Sequence, residues 1–283
     1  MAKTTKEKGG EKVNSLTPYL QQFKNNKLAQ RLTYGILAII VVVGGWYAYK
    51  YFVVRPADEE AQMQLTTGIQ MLTQASQVQQ QAAYVESMPD SALTQALKQQ
   101  GMIPDSLAAD SVVLVVKKFR EEQKKGPADM LNKALKGEGK FPGFLRMAKG
   151  SGAGANIATY LAGKAYYMLG NYKEAIKFLE DFSPKGDEGV SPMALSLLAN
   201  CYACDKQIDK AIDTFKDAAS EADNENLSPI LLVEAGKLLE SKGEKAKAHE
   251  LYVQIKNDYP AYGMTQNGMM SSTIDMFIER TAK

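Results

Sequence analysis

One residue pair in this chain has a spacing that could do chemistry: Cys201 and Cys204, written Cys-Tyr-Ala-Cys. Two thiols three positions apart can cycle between dithiol and disulfide. In redox enzymes such a pair opens a helix, where free backbone N–H groups favour the thiolate. Here the surrounding segment has helical periodicity, which puts the pair in the middle of a helix and away from its start. That placement favours a packing role, with thiol redox work by Cys201 and Cys204 as the competing reading. A metal would need two more ligands, and His249 is the single histidine. No serine, cysteine or aspartate is spaced to work with His249, which is expected to face solvent. The chain has no phosphate-binding glycine loop, dinucleotide fingerprint or zinc signature. These residues point to no enzyme, no cofactor and no metal, and leave binding as the function to explain.

The elements that would carry binding run from Ala158 to Pro260, where one helical hairpin is written three times. The copies begin ATYLAGKAYYMLGNYKEAIKFLEDF at Ala158, SPMALSLLANCYACDKQIDKAIDTFKDAA at Ser191 and SPILLVEAGKLLESKGEKAKAHELYVQIKNDYP at Ser228. Gly163, Ala199 and Gly236 fall in register, 36 and 37 residues apart, where two helices must approach closely. Tyr166, Tyr202 and Leu239 follow three later, and the second helices align through Ala175, Ala211 and Ala248, then Leu179, Phe215 and Tyr252. A period in the 30s marks stacked hairpins, because one hairpin cannot bury its apolar stripe alone. Ser191-Pro192 and Ser228-Pro229 read as helix starts, with the serines accepting bonds from free N–H groups. Gly170-Asn171 and Gly243 read as the tight turns inside a hairpin. Tyr-x-x-x-Gly-x-Tyr-x-x-Ala-Ile, from Tyr166 to Ile176, resembles the signature of tetratricopeptide (TPR) repeats.

With 283 residues and 45% apolar composition, the chain can bury a sizeable core, and two cysteines exclude a disulfide framework. Residues 1–31 carry seven Lys or Arg against two Asp or Glu, whereas residues from Pro56 onward carry 25 against 30. A slightly acidic body argues against nucleic acid. The basic tail, with a short surface helix expected from Leu16 to Leu28, precedes an apolar run. Residues 32–54 hold Lys50 as their one charge. That length suits a hydrocarbon core of about 30 Å, with Leu32, Ile36, Ile39, Val42, Trp46 and Tyr49 facing lipid. Trp46, Tyr47, Tyr49 and Tyr51 gather at one end, as interfacial rings do. No Ala-x-Ala site follows, so an anchor is expected rather than a cleaved leader. The positive tail before the span and Asp58-Glu59-Glu60 after it place the N-terminus in the cytoplasm and the body across a bacterial inner membrane, in the periplasm.

Five regions follow: a cytoplasmic tail (1–31), a transmembrane helix (32–54), irregular TPR-like hairpins (55–155), three repeats (156–262) and a capping helix (263–283). The fold class expected is all-α, one membrane helix followed by an α-solenoid. Residues 57–83 are Gln-rich, with Met63, Ile69, Leu72, Ala75 and Val78 at roughly helical spacing. Their polar face carries little charge, which suits pairing with another helix. Pro89-Asp90-Ser91 and Pro104-Asp105-Ser106 read as further helix starts, and the Val112–Val116 cluster as core. Residues 126–148 read as a helix, a Gly-rich turn and a short helix, and Ser151–Asn156 as a loop. Ile274, Phe277 and Ile278 on a last helix would cover the end of the stack.

In stacked hairpins the first helices line a concave face. It should carry Tyr160, Lys164, Tyr167 and Asn171, then Ser196, Asn200 and Ala203, then Val233, Lys237 and Glu240. TPR domains that clamp a terminal carboxylate use Lys, Asn and Arg on these helices. Leu197, Ile230 and Glu234 stand where most of that set would fall, so a mixed polar and aromatic groove for a peptide or partner helix is expected instead.

One anchor plus a TPR array resembles the YfgM-like family of bacterial inner-membrane proteins. ALKGEGKFPGFLRMA, the repeats and the closing NDYP…FIERTAK resemble its Bacteroidetes-type members, while residues 84–125 depart from the pattern. The resemblance implies a periplasm-facing scaffold that binds the SecYEG translocon and a PpiD-type periplasmic chaperone and assists emerging polypeptides. A scaffold of another envelope complex (secretion, motor or outer-membrane assembly) is the alternative.

Overall fold

The computed structural model of the chain describes residues 41–48, 55–262 and 273–282. Residues 41–48 are helical, with Val42 and Trp46 exposed. The rest of the apolar run, including Leu32, Ile36, Ile39 and Tyr49, lies outside the described residues, as does the expected 16–28 helix. Among the described residues no helix is long and apolar enough to cross a membrane.

Residues 61–283 form one compact unit. Among the described residues it is helical, without a strand; Glu138 and Phe141 form an isolated bridge. Its order is α1 (Arg55–Ser87), α2 (Asp90–Gln99), α3 (Ala109–Lys136), α4 (Phe144–Met147), α5 (Ala153–Met168), α6 (Tyr172–Glu180), α7 (Val190–Cys204), α8 (Ile208–Ala222), α9 (Ser228–Ser241), α10 (Lys245–Asp258) and α11 (Thr273–Thr281). From α5 onward each helix packs on the next, and α5 also meets α7, the neighbourhood of a helical-repeat stack.

The repeat register explains the packing. Ala175, Ala211 and Ala248 are fully buried, and Leu179, Phe215 and Tyr252 beside them are buried too. Leu179 and Tyr252 each face the glycine of their partner helix. A Cβ built on Gly163 would lie 2.6 Å from Leu179 Cγ, and one on Gly236 2.6 Å from Tyr252 Cζ. The turn inside each hairpin has a left-handed residue in the same register: Gly170 (φ 73°), Lys206 (φ 64°) and Gly243 (φ 85°). Lys206 takes a conformation that glycine takes in the other two copies, at some strain cost to a residue with a Cβ.

The helix starts differ from expectation. Ser191 and Ser228 are buried inside the first turn, and another side chain bonds the backbone N–H groups at the start of α7 and in the turn leading into α9. Asp187 accepts from the N–H groups of Gly189 (3.1 Å), Val190 and Ser191 (3.1 Å), while Ser191 hydroxyl donates to Asp187. In the next copy Asn224 accepts from Asn226 (3.1 Å) and Leu227 (2.8 Å), and Ser228 hydroxyl donates to the Ala219 carbonyl (2.8 Å). These side chains come from four residues ahead of each Ser-Pro pair, because the serines are needed to tie each helix to the chain before it.

Upstream, five expectations change. The inward row of α1 is Leu65, Gly68, Leu72, Ala75 and Ala82; Met63 and Ile69 point outward, 70% and 44% exposed. Helix α3 runs unbroken through Gly126-Pro127, because a glycine ahead of proline removes the Cβ clash that usually excludes helical backbone there. Pro104 opens a turn and the helix begins at Ala109, while α5 starts at Ala153, inside the expected loop. The Val112–Val116 cluster divides: Val116 is buried with Leu93, Leu97 and Ile103, whereas Val113 and Leu114 are exposed.

Candidate functional site

A groove of about 230 Å³ crosses the first helices of the three copies. Lys164 from α5 forms one wall above Tyr160; Pro192, Met193, Ser196, Leu197 and Asn200 from α7 form the middle; Leu227 and Leu231 close it at α9. The helical period places these residues together, since Tyr160 and Lys164, and then Pro192, Ser196 and Asn200, recur every four residues on one face. Met193, 53% exposed, and Ile230, 46% exposed, add apolar surface at the rim.

The polar atoms offered are few. Asn200 donates to the Ser196 carbonyl (2.9 Å), which leaves its amide oxygen open to accept. Lys164 supplies the one charge among the lining residues, and no carboxylate joins them. Tyr160 is buried against Phe182, ring centroids 6.1 Å apart, and burial pushes its phenol up, so it stays neutral. An apolar trough with amide-like donors and acceptors suits peptide backbone and apolar side chains.

The structure therefore joins Tyr160, Lys164, Ser196 and Asn200 of the expected concave set. Tyr160 forms the floor of the groove where an exposed wall residue was expected, because Phe182 and the α7 start close over it. Tyr167 packs on Tyr172 (5.8 Å) near Cys204, and Asn171 stands in the exposed turn just ahead of α6, without a side-chain bond to the helix start. Val233 is buried. Lys237 and Glu240 are taken by α11. Glu240 accepts from Arg280 (2.6 and 2.9 Å) and from Tyr252 (2.7 Å), and Lys237 lies 5.9 Å above the Phe277 ring while paired with Glu234 (2.7 Å). Burial works against the Glu240 charge, but the Arg280 and Tyr252 hydrogen bonds outweigh it and hold the carboxyl below its usual range. His249 also faces α11, with Nδ1 3.1 Å from the Ile278 carbonyl and 3.2 Å from Thr281 Oγ1, where solvent was expected. Sequence reasoning missed Met193, Leu227 and Leu231 as lining residues; exposed methionine after Ser-Pro was the available signal.

The cysteines lie in the last turn of α7, not its middle. Both are free; Cys201 is buried and Cys204 exposed. Burial, followed by the neighbouring Cys204, pushes the Cys201 thiol up to about 12. A helix C-terminus also disfavours thiolate, the reverse of a nucleophile's setting.

Fold and groove together define a helical-repeat protein. No family model matches the chain, and no curated protein matches it either.

Proposed function

We propose that this chain is a non-enzymatic TPR scaffold, anchored in a bacterial inner membrane through residues 32–54, with its body facing the periplasm. It binds the SecYEG translocon and a PpiD-type chaperone and assists translocated polypeptides. The observation that carries a binding role is the carboxylate-free apolar groove running across three consecutive first helices. The Cys201 thiol, buried at a helix C-terminus, supports the non-enzymatic reading over thiol exchange. The anchor and the choice of partners rest on the sequence resemblance.

The test is capture of the full chain from native membranes in mild detergent, followed by mass spectrometry, beside a variant lacking residues 1–55. Recovery of SecY with a PpiD-type chaperone, reduced when the N-terminal segment is removed, is the expected result. Recovery of a different envelope complex without any Sec component sinks the translocon assignment.

A further inference from the structure

The outward face of α1 has no use in the fold described so far. Between Ala61 and Val85 this helix carries no Asp, Glu, Lys or Arg, although the solvent side of a surface helix ordinarily carries charge. Its inward row packs on the body: Gly68 lies against Phe141 and Phe144, and Gln79 donates to the Met168 carbonyl (3.3 Å). On the opposite side Met63, Thr66, Gln70, Thr73, Gln77, Gln80 and Tyr84 alternate three and four residues apart, and all are exposed. That spacing is the register of a left-handed coiled-coil seam, filled here by uncharged Thr and Gln between Met63 and Tyr84 rather than by apolar residues throughout.

The chemistry of that seam suits burial against its own copy. Thr66 and Thr73 hydroxyls donate to the Gln62 and Ile69 carbonyls (both 2.9 Å), so no hydroxyl donor is stranded on contact. Glutamine carries both donors and acceptor and bonds to another glutamine. Across a two-fold axis each central residue meets itself, so any charge there would meet a like charge; a seam without charge is the self-complementary solution. A partner of different sequence would more usually be matched by opposite charge, which this face does not offer. The body already holds α1 helical, so docking carries no cost of helix formation. From 63 to 84 the row is three heptads, about 32 Å long.

We propose that two copies of this chain pair through the outward faces of α1 as a parallel two-helix coiled coil. Met63 and Tyr84 close its ends, and Gln70, Gln77 and Gln80 bond across its middle. The parallel sense rests on the anchor in the proposed function, because two chains anchored by the same N-terminal segment run in the same direction; the pairing itself does not.

The purified full chain in mild detergent tests this. Sedimentation of the unaltered chain should show a dimer. Gln70→Glu with Gln77→Glu, at exposed positions, should weaken that dimer at least about tenfold, and Gln70→Leu with Gln77→Leu should strengthen it by a similar factor. In a Cys201→Ala, Cys204→Ala background, Thr66→Cys and Gln80→Cys should each cross-link to itself, and Lys247→Cys on the far α10 should not. A monomer that is unchanged by either glutamine pair overturns the proposal. Cross-links formed only between Thr66→Cys and Gln80→Cys chains overturn the parallel arrangement. Because the dimer is read on the purified chain, failure of the membrane capture leaves this result standing, and the reverse also holds.

Discussion

Gly236→Ala tests the close approach of paired helices most directly. The new Cβ would lie 2.6 Å from Tyr252 Cζ and 2.9 Å from its hydroxyl. The ring cannot swing aside: Tyr252 is fully buried, stacks on Phe277 at 5.1 Å and donates to Glu240 at 2.7 Å. Overpacking a core costs about 1–3 kcal/mol and exchanging glycine for alanine inside a helix returns about 1 kcal/mol, which bounds the net loss at about 0–2 kcal/mol; the pinned ring puts it at the upper end, about 2 kcal/mol. For a body of this size that lowers Tm by roughly 4–8 °C in a thermal melt. Gly154→Ala is the control. Its Cβ would meet Ala61 at 3.7 Å and Leu65 at 3.9 Å, ordinary contact, and the substitution should stabilise by about 0.5–1 kcal/mol. If Gly236→Ala also stabilises, the helices of the third hairpin are not pressed together as described, and the register argument fails at its strongest point.

Other outcomes follow from the same geometry. Lys206→Gly should stabilise by about 0.5–1 kcal/mol in urea unfolding, because it relieves a left-handed residue at φ 64°, whereas Gly170→Ala and Gly243→Ala should destabilise by about 1 kcal/mol. Arg280→Ala should loosen α11 first, seen as faster amide exchange in 273–282 while α7 and α8 stay protected, because Arg280 holds Glu240 across to α9. Acid should destabilise through carboxylates held below their ordinary range: Asp187 by the Ser191 hydroxyl and then backbone N–H groups, and Glu244, at about 2, by Lys242 and Lys247. Each contribution is complete above the group's ordinary value, 3.8 for Asp187 and 4.5 for Glu244, and is lost below it, for Glu244 as pH falls through about 2, so stability should decline as acid is added below about 4.5. Asp187→Asn should flatten part of the decline. Finally, a thiol reagent should label Cys204 quickly and Cys201 only on unfolding, and Cys201→Ala with Cys204→Ala should leave partner capture unchanged.

The chain by itself determined the periodic part of this structure. Spacings of 36 and 37 residues set Gly163 and Gly236 opposite Leu179 and Tyr252 and put Ala199 in one core cluster with Phe215, because each pairing lies within one hairpin and is fixed by local helical geometry. Tertiary structure alone decided what depends on elements far apart. Both sides of α1 are almost free of charge, so periodicity could mark two faces without saying which one the 141–144 turn would cover. Lys237 and Glu240 read as open groove residues until α11, about 40 residues on, folds back to claim them. Tyr160 reads as a wall residue until Phe182 closes over it. The caps Asp187 and Asn224 went unseen because Ser-Pro already satisfies the local rule for a helix start, and only the packed chain shows that those serines bond elsewhere. Helical register follows from residues a few positions apart, but which face of a helix is covered depends on whatever arrives later in the chain.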